Sequence, residues 1–255
     1  MTEQLSPLAL QALAVVEESG AIINANHAHP HTIRHKGRID LVTETDIAVE
    51  AFLKERLASL APQAGFLAEE SAEDLSLPDT CWIIDPVDGT TNFAHGLPLT
   101  VTSVAYRLNG EIVLGIVNAP LLRECFIAEK GKGAWRNGER ISVSSVTACE
   151  NALIATGFPY EIASRVDEIL ERMRPVLSSC QGVRRCGAAA LDLAWTACGR
   201  FDAFMKTNLN RGTWPQARCS SPRPGAAFPI WTARPLICAG RSSPETRPCM
   251  NSSEK

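Results

Sequence analysis

Hydrophobic positions recur at helical spacing from the start of the chain. Leu8, Ala12, Val15 and Val16 line one face of residues 5–24 and predict an amphipathic helix. A stretch rich in histidine follows (His27, His29, His31, His35). It has no ligand-like spacing and reads as a solvated loop rather than a zinc site. After Ile39-Asp40-Leu41-Val42, the run Thr43-Glu44-Thr45-Asp46 opens a second helix whose apolar positions are Ile47, Val49, Phe52, Leu53 and Leu57. Short apolar runs then predict strands at 65–68, 81–84, 100–108, 111–118, 123–129, 152–156 and 200–206, with helices at 163–177 and 187–198. Asn109-Gly110 is a two-residue hairpin signal, and Asn137-Gly138 marks a further turn. Strands and helices are mixed rather than strictly alternating, which places the chain in α+β shading into α/β. A soft boundary near residue 145 separates an N-terminal unit, 1–145, from a shorter C-terminal one, 146–210.

Composition narrows the class. The chain has 255 residues, 45% of them hydrophobic and 21% charged, as expected of a globular protein with a sizeable core. A net charge of −3 gives no global reason to expect nucleic acid or an anionic membrane as partner. No apolar run is read as reaching the roughly 20 residues that cross a bilayer. The N-terminus carries Glu17 and Glu18 inside its apolar pattern, unlike a secretory signal. Nine cysteines without Cys-x-x-Cys spacing read as reduced structural thiols, so a cytoplasmic location is expected.

Charge is unevenly spread. Residues 1–207 hold 18 basic and 26 acidic side chains, whereas 208–255 hold 7 and 2 and also 7 of the 16 prolines. The last segment has almost no hydrophobic periodicity. Residues 211–255 therefore read as an aberrant, poorly ordered tail.

Candidate chemistry concentrates at Trp82-Ile83-Ile84-Asp85-Pro86-Val87-Asp88-Gly89-Thr90-Thr91-Asn92-Phe93. An apolar strand ends in two carboxylates, followed at once by glycine and two hydroxyl residues. Carboxylate oxygens suit Mg²⁺, which commonly takes substrate phosphate as a further ligand. Pro86 stiffens the turn, Gly89 lets backbone approach closely, and Thr90 and Thr91 can cap a helix start. Two more acids end apolar runs: Asp46 after Leu41-Val42-Thr43, and Glu69 after Phe66-Leu67-Ala68. Converging carboxylates repel unless cations sit between them, so the pattern points to metal-assisted hydrolysis of a phosphate ester.

The run Trp82–Phe93 resembles the metal-binding motif of the inositol monophosphatase family. The resemblance extends through Lys36, Asp40-Leu41-Val42-Thr43, Asp46, Glu69-Glu70-Ser71, Gly131-Lys132-Gly133-Ala134, Asn137-Gly138, Ala155-Thr156-Gly157-Phe158-Pro159 and 184–193. It implies a layered αβαβα sandwich, typically a homodimer, that hydrolyses small phosphate monoesters with two or three Mg²⁺ ions and is inhibited by Li⁺. By the same resemblance, Glu69, Asp85, the Val87 carbonyl and Asp88 are metal ligands. Asp46 and Thr90 orient the attacking water, with Lys36 nearby. Asp88, Gly89 and Thr90 meet the phosphate, and Gly187, Ala188 and Ala189 meet the ring or sugar. Glu70 supports rather than ligates.

The family pattern then breaks. Relatives continue after the strand 201–205 with Pro-Trp-Asp, whose aspartate is a ligand, and Thr213 occupies that place here. Lys206 stands where many relatives carry a glutamate that reads the substrate. Codons compatible with 211–225, preceded by one extra C, read in the shifted frame as Pro-Trp-Asp-Leu-Ala-Ala-Gly-Ala-Leu-Leu-Val-Thr-Glu-Ala-Gly-Gly, the family's expected continuation. A one-base loss near codon 210 would explain the charge reversal, the prolines and the lost periodicity together. It would leave the last layer of the sandwich disrupted and activity impaired. Myo-inositol monophosphate is the leading substrate. The alternatives are 3′-phosphoadenosine phosphate or a sugar bisphosphate, or a non-catalytic interaction protein on the same fold.

Overall fold

The computed structural model describes residues 4–27, 33–35, 41–70, 78–158 and 162–206. Lys36, Thr213 and the tail from residue 211 fall outside the described residues. Helix α1 (Pro7–Asn26) starts at Ser6, whose hydroxyl accepts from the Ala9 amide at 3.2 Å. Helix α2 (Glu44–Leu60) starts with a capping box between Thr43 and Asp46. Strands β1 (Ile33–His35) and β2 (Leu41–Thr43) pair antiparallel between the helices. The first of these had been expected to be loop.

The main sheet has seven strands: β3 (Gly65–Ala68), β4 (Cys81–Asp88), β5 (Val101–Leu108), β6 (Glu111–Ala119), β7 (Glu124–Glu129), β8 (Gly133–Arg136) and β9 (Glu139–Arg140), hydrogen-bonded in that order. Only β3 and β4 are parallel. The β5–β6 turn has positive φ at both Asn109 and Gly110, 51° and 84°, as the Asn-Gly signal requires. The same geometry at Asn137 and Gly138 joins β8 to β9, two strands the apolar pattern did not mark.

One face of this sheet packs on α1 and α2. Ala12, Val16 and Ile23 meet Val49, Leu53 and Leu57 there, above Trp82, Ile84, Tyr106 and Ile116. The opposite face takes helix α5 (Ala189–Ala197), where Ala190, Leu191 and Ala194 pack with Val101, Val117 and Phe126. Strand β4 is buried along its whole length because both its faces are covered, which is why its sequence lacks apolar–polar alternation. Helix α5 also packs on β10 (Leu153–Gly157) and β12 (Ala203–Lys206). These belong to a parallel three-stranded sheet in the order β11 (Gly182–Arg184), β10, β12, with β10 at its centre. Helix α4 (Val166–Ser179) precedes β11. The result is a layered α/β sandwich in which α5 is shared between the sheets.

Four expectations change. Ile47 is 48% exposed: it lies off the buried stripe of α2, which runs through Val49, Leu53 and Leu57. The strand expected at 81–84 continues to Asp88 through a bulge between Asp85 and Asp88. Helix α1 is long and apolar enough by composition to cross a membrane, contrary to the expectation that no run was. Its Ala9, Ala12, Val16 and Ile23 are fully buried in the core, so it serves as a core helix. The thiols of Cys81, Cys125, Cys180, Cys186 and Cys198 are free, while Cys149 is disulfide-bonded, unlike the all-thiol expectation.

Candidate active site

The bulge in β4 organises the site. It spans 85–88, and the Thr102 hydroxyl donates to the Pro86 carbonyl at 2.9 Å, holding it open against β5. Asp85 and Asp88 are 1% and 2% exposed, and Val87 between them is 1% exposed. Parallel pairing puts Ala68 opposite Ile84, and the Glu69 amide donates to the Ile84 carbonyl at 3.1 Å. Glu69 therefore leaves β3 beside Asp85. Sequence spacing alone left that adjacency open.

Asp46 approaches from α2. Its Oδ2 accepts from the Thr43 amide at 2.9 Å and from the Thr43 hydroxyl at 2.5 Å. Burial raises its pKa, the Thr43 bonds pull it back, and the negative charge of Glu69 raises it further. The Thr90 hydroxyl lies 3.0 Å from the Val87 carbonyl oxygen and 3.3 Å from Asp46 Oδ1, with one proton to give to either. Asp46, Thr90 and the acidic turn are thus in one place. The capping expectation is corrected. Helix α3 (Thr90–Ala94) is capped by Gly89 at φ 95°, with no side-chain cap bond, and Thr91 is exposed. The chain must turn left-handed there, and a side chain on Gly89 would come within 2.7 Å of the Leu99 carbonyl oxygen.

The segment expected to meet the ring or sugar comes up against this turn. Gly187 has φ 92°, and Ala188 caps α5. The Ala190 amide donates to Asp88 Oδ2 at 2.6 Å, which joins α5 directly to a candidate ligand. Lys206 ends β12 opposite Gly157.

Sequence reading missed three groups here. Glu50, one helical turn after Asp46, is 4% exposed and accepts from the Glu70 amide at 2.8 Å, bracing the turn after Glu69. Its i+4 spacing from Asp46 was the available signal. Asn92 donates to the Leu99 and Cys186 carbonyls at 2.7 and 2.8 Å. Asp192 is 1% exposed on α5. Burial first, then the nearby Asp88 charge, push its pKa up to about 7, against the opposing effects of the Cys186 thiol and Arg185. The Cys186 thiol is in turn raised to about 12, chiefly by burial and then by Asp192.

A hard cation fits this chemistry. The donors are all oxygen, and the buried Asp192 Oδ1 beside Asp88 has no hydrogen-bond partner, as expected where a site lacks a positive charge. Among the described residues no three His, Cys, Asp or Glu side chains are gathered tightly enough to chelate an ion alone. The Val87 carbonyl, phosphate and water would have to complete a coordination shell, an arrangement Mg²⁺ favours.

Residues 4–215 match the model of the inositol monophosphatase family. The chain belongs to that family. An inositol monophosphatase of Dictyostelium discoideum is 40% identical over 205 residues, covering 78% of this chain and 75% of that protein. The Nus factor SuhB of Escherichia coli K12 is 34% identical over 208 residues, covering 80% and 78%. Among solved structures, the suhB extragenic suppressor protein of Bartonella henselae superposes with a TM-score of 0.78 at 32% identity, covering 89% of this chain and 85% of that one. An IMPase/NADP phosphatase complexed with Mg²⁺ and phosphate superposes with a TM-score of 0.64 at 25% identity, covering 77% and 72%. Family membership makes the chain a phosphatase-type hydrolase on a layered α/β fold.

Proposed function

We propose that this inositol monophosphatase family member hydrolyses small phosphate monoesters in a Mg²⁺-dependent reaction, with myo-inositol monophosphate as the leading substrate. The observation that carries this is the backbone pairing that sets Glu69, Asp85, the Val87 carbonyl and Asp88 at one bulged strand end, with Asp46 and Thr90 against it. Glu69, Asp85, Val87 and Asp88 would hold the metal. Mg²⁺ there supplies Lewis acidity, making water a better nucleophile and balancing charge on the phosphate. The Thr90 hydroxyl, placed between Val87 and Asp46, orients a water and can pass its proton toward the Asp46 carboxylate. Gly89 leaves room for the phosphate to approach backbone, while 187–189 faces the leaving alcohol. The expected setting is a cytoplasmic homodimer sensitive to Li⁺.

The family match ends at residue 215, close to the composition break. In our reading Thr213 replaces the last aspartate ligand through a lost base. A threonine hydroxyl cannot supply carboxylate charge, so this chain is impaired. The test is phosphate release from myo-inositol 1-phosphate, with Mg²⁺ or with chelator, by this chain and by a version with one base restored before codon 211. The restored chain should release phosphate only with Mg²⁺, and this chain far less. Silence from a well-folded restored chain would reject the phosphatase reading, and equal rates would reject the frame reading.

Similarity to a Nus factor supports a second reading, a protein-binding role on the same fold. An Asp85→Asn variant separates the two, since hydrolysis needs that carboxylate and scaffold binding does not.

A further inference from the structure

Asn92 sits four residues beyond Asp88 and is 6% exposed. Both hydrogens of its amide are committed to carbonyls of distant segments: Leu99 at 2.7 Å and Cys186, 94 residues away in sequence, at 2.8 Å. The fit around it leaves no slack. A side chain on Gly187 would come within 2.9 Å of both Asn92 Nδ2 and Oδ1, and one on Gly89 within 3.4 Å of Nδ2 and 3.2 Å of the Ala188 side chain. The acidic turn is therefore joined to 186–190 in two ways. One tie is the Ala190 amide on Asp88, a candidate ligand. The other is Asn92, which is not a ligand.

These ties respond differently to charge. The Asp88 carboxylate that accepts from the Ala190 amide is also a candidate cation ligand. A cation held there would fix that carboxylate in place, so the Asp88 tie strengthens when the site is loaded. The neutral Asn92 amide holds at either loading.

We propose that Asn92 is a positioning residue that keeps the substrate-facing segment 186–190 docked on the acidic turn whether or not the site holds a cation. This rests on the Mg²⁺ reading only in its cation-dependent half. Without Asn92, docking of that segment falls to the Asp88 tie and becomes dependent on the ion.

Hydrogen exchange on the full chain, followed by mass spectrometry over 184–192, tests this in chelator and in Mg²⁺. The unsubstituted chain should protect the segment nearly equally in both. Asn92→Ala should raise its exchange in chelator by about tenfold, the loss of a pair of buried hydrogen bonds, and Mg²⁺ should restore most of the protection. Slow exchange in β5 and β6 certifies that the variant is folded. If it is not, Asn92→Asp, which keeps the shape but cannot donate, takes its place. Unchanged exchange of 184–192 in chelator would overturn the proposal. Raised exchange that Mg²⁺ leaves untouched would keep the Asn92 tie but reject the cation-dependent one. A protein in which Mg²⁺ alters nothing at Asp85 and Asp88 would fail the metal reading instead, leaving the chelator arm to decide on Asn92.

Discussion

The two sheets solve the burial problem differently. The seven-stranded sheet is covered on both faces, and β4 is buried from end to end. The three-stranded sheet is built from short strands, and helix α4 near it leaves Val166, Leu170 and Leu177 43%, 54% and 60% exposed. The consequence reaches the site. Candidate groups on the sealed side are each held by a near neighbour: Asp46 on α2 by Thr43, the β4 bulge by Thr102, and the turn after Glu69 by Glu50. Segment 186–190 is fixed by what it touches on the other side, through Asn92 and Asp88. The proposed chemistry therefore resides in the well-sealed layer, and the proposed substrate contact in the layer that leans on it.

The largest effect should come from breaking the sealed side. In the frame-restored chain, Asp88→Asn removes a candidate ligand and the acceptor of the Ala190 amide. Mg²⁺-dependent phosphate release should fall on the order of 10³-fold, the scale of losing a metal's charge stabilisation. A loss of less than tenfold would place the chemistry elsewhere.

Asp192 tests the seam between the layers by pH. Its folded pKa of about 7 stands above the ordinary 3.8, so folding favours the neutral acid. That contribution is fully present below about pH 4 and is lost as pH rises through about 7. In chelator, Asp192→Asn should be close to the unsubstituted chain near pH 4 and more stable than it at pH 8, by about 4 kcal/mol. Parallel denaturation curves across that range would contradict the assignment.

A Gly89→Ala change should cost about 2 kcal/mol, because it combines a left-handed backbone with a close approach to the Leu99 carbonyl. Urea midpoints measure it, and the phosphate-facing turn should lose activity as well. The smallest effect is expected at the other seam. Glu124 on β7 accepts from Arg200 at 2.6 and 2.7 Å and from the Trp195 indole at 2.8 Å, tying the main sheet to α5. Arg200 is 38% exposed on its side chain, so Arg200→Ala should cost only about 1 kcal/mol. A cost well above that would mean that the smaller layer depends on this staple more than on Asn92 and Asp88.

Much of the fold was legible where period and turn chemistry agree. The stripe of α1, the capping box of α2 and the Asn109-Gly110 hairpin are local effects, and local sequence specifies them. Ile47 was misplaced because a helical pattern alone does not say how wide the buried stripe is. Strands β8 and β9 were missed around a turn that was itself expected, since each is short and pairs mostly through backbone. At the site, Asp85, Asp88 and Glu69 stood out as acids after apolar runs. Asn92 and Asp192 did not, because a polar residue on a helix gives no sequence sign of being buried, and Glu50 offered only its i+4 spacing from Asp46.

The sequence by itself determined the kinds of atoms available at the site and the elements that bear them, because strand ends, caps and glycine turns obey rules spanning a few residues. Tertiary structure decided which of those atoms meet. The parallel pairing of β3 with β4 sets Glu69 beside Asp85, and the shared helix α5 brings Ala190 and Asp192 to Asp88. Those encounters join residues up to about a hundred positions apart, and only the packing of both sheets on one helix fixes them.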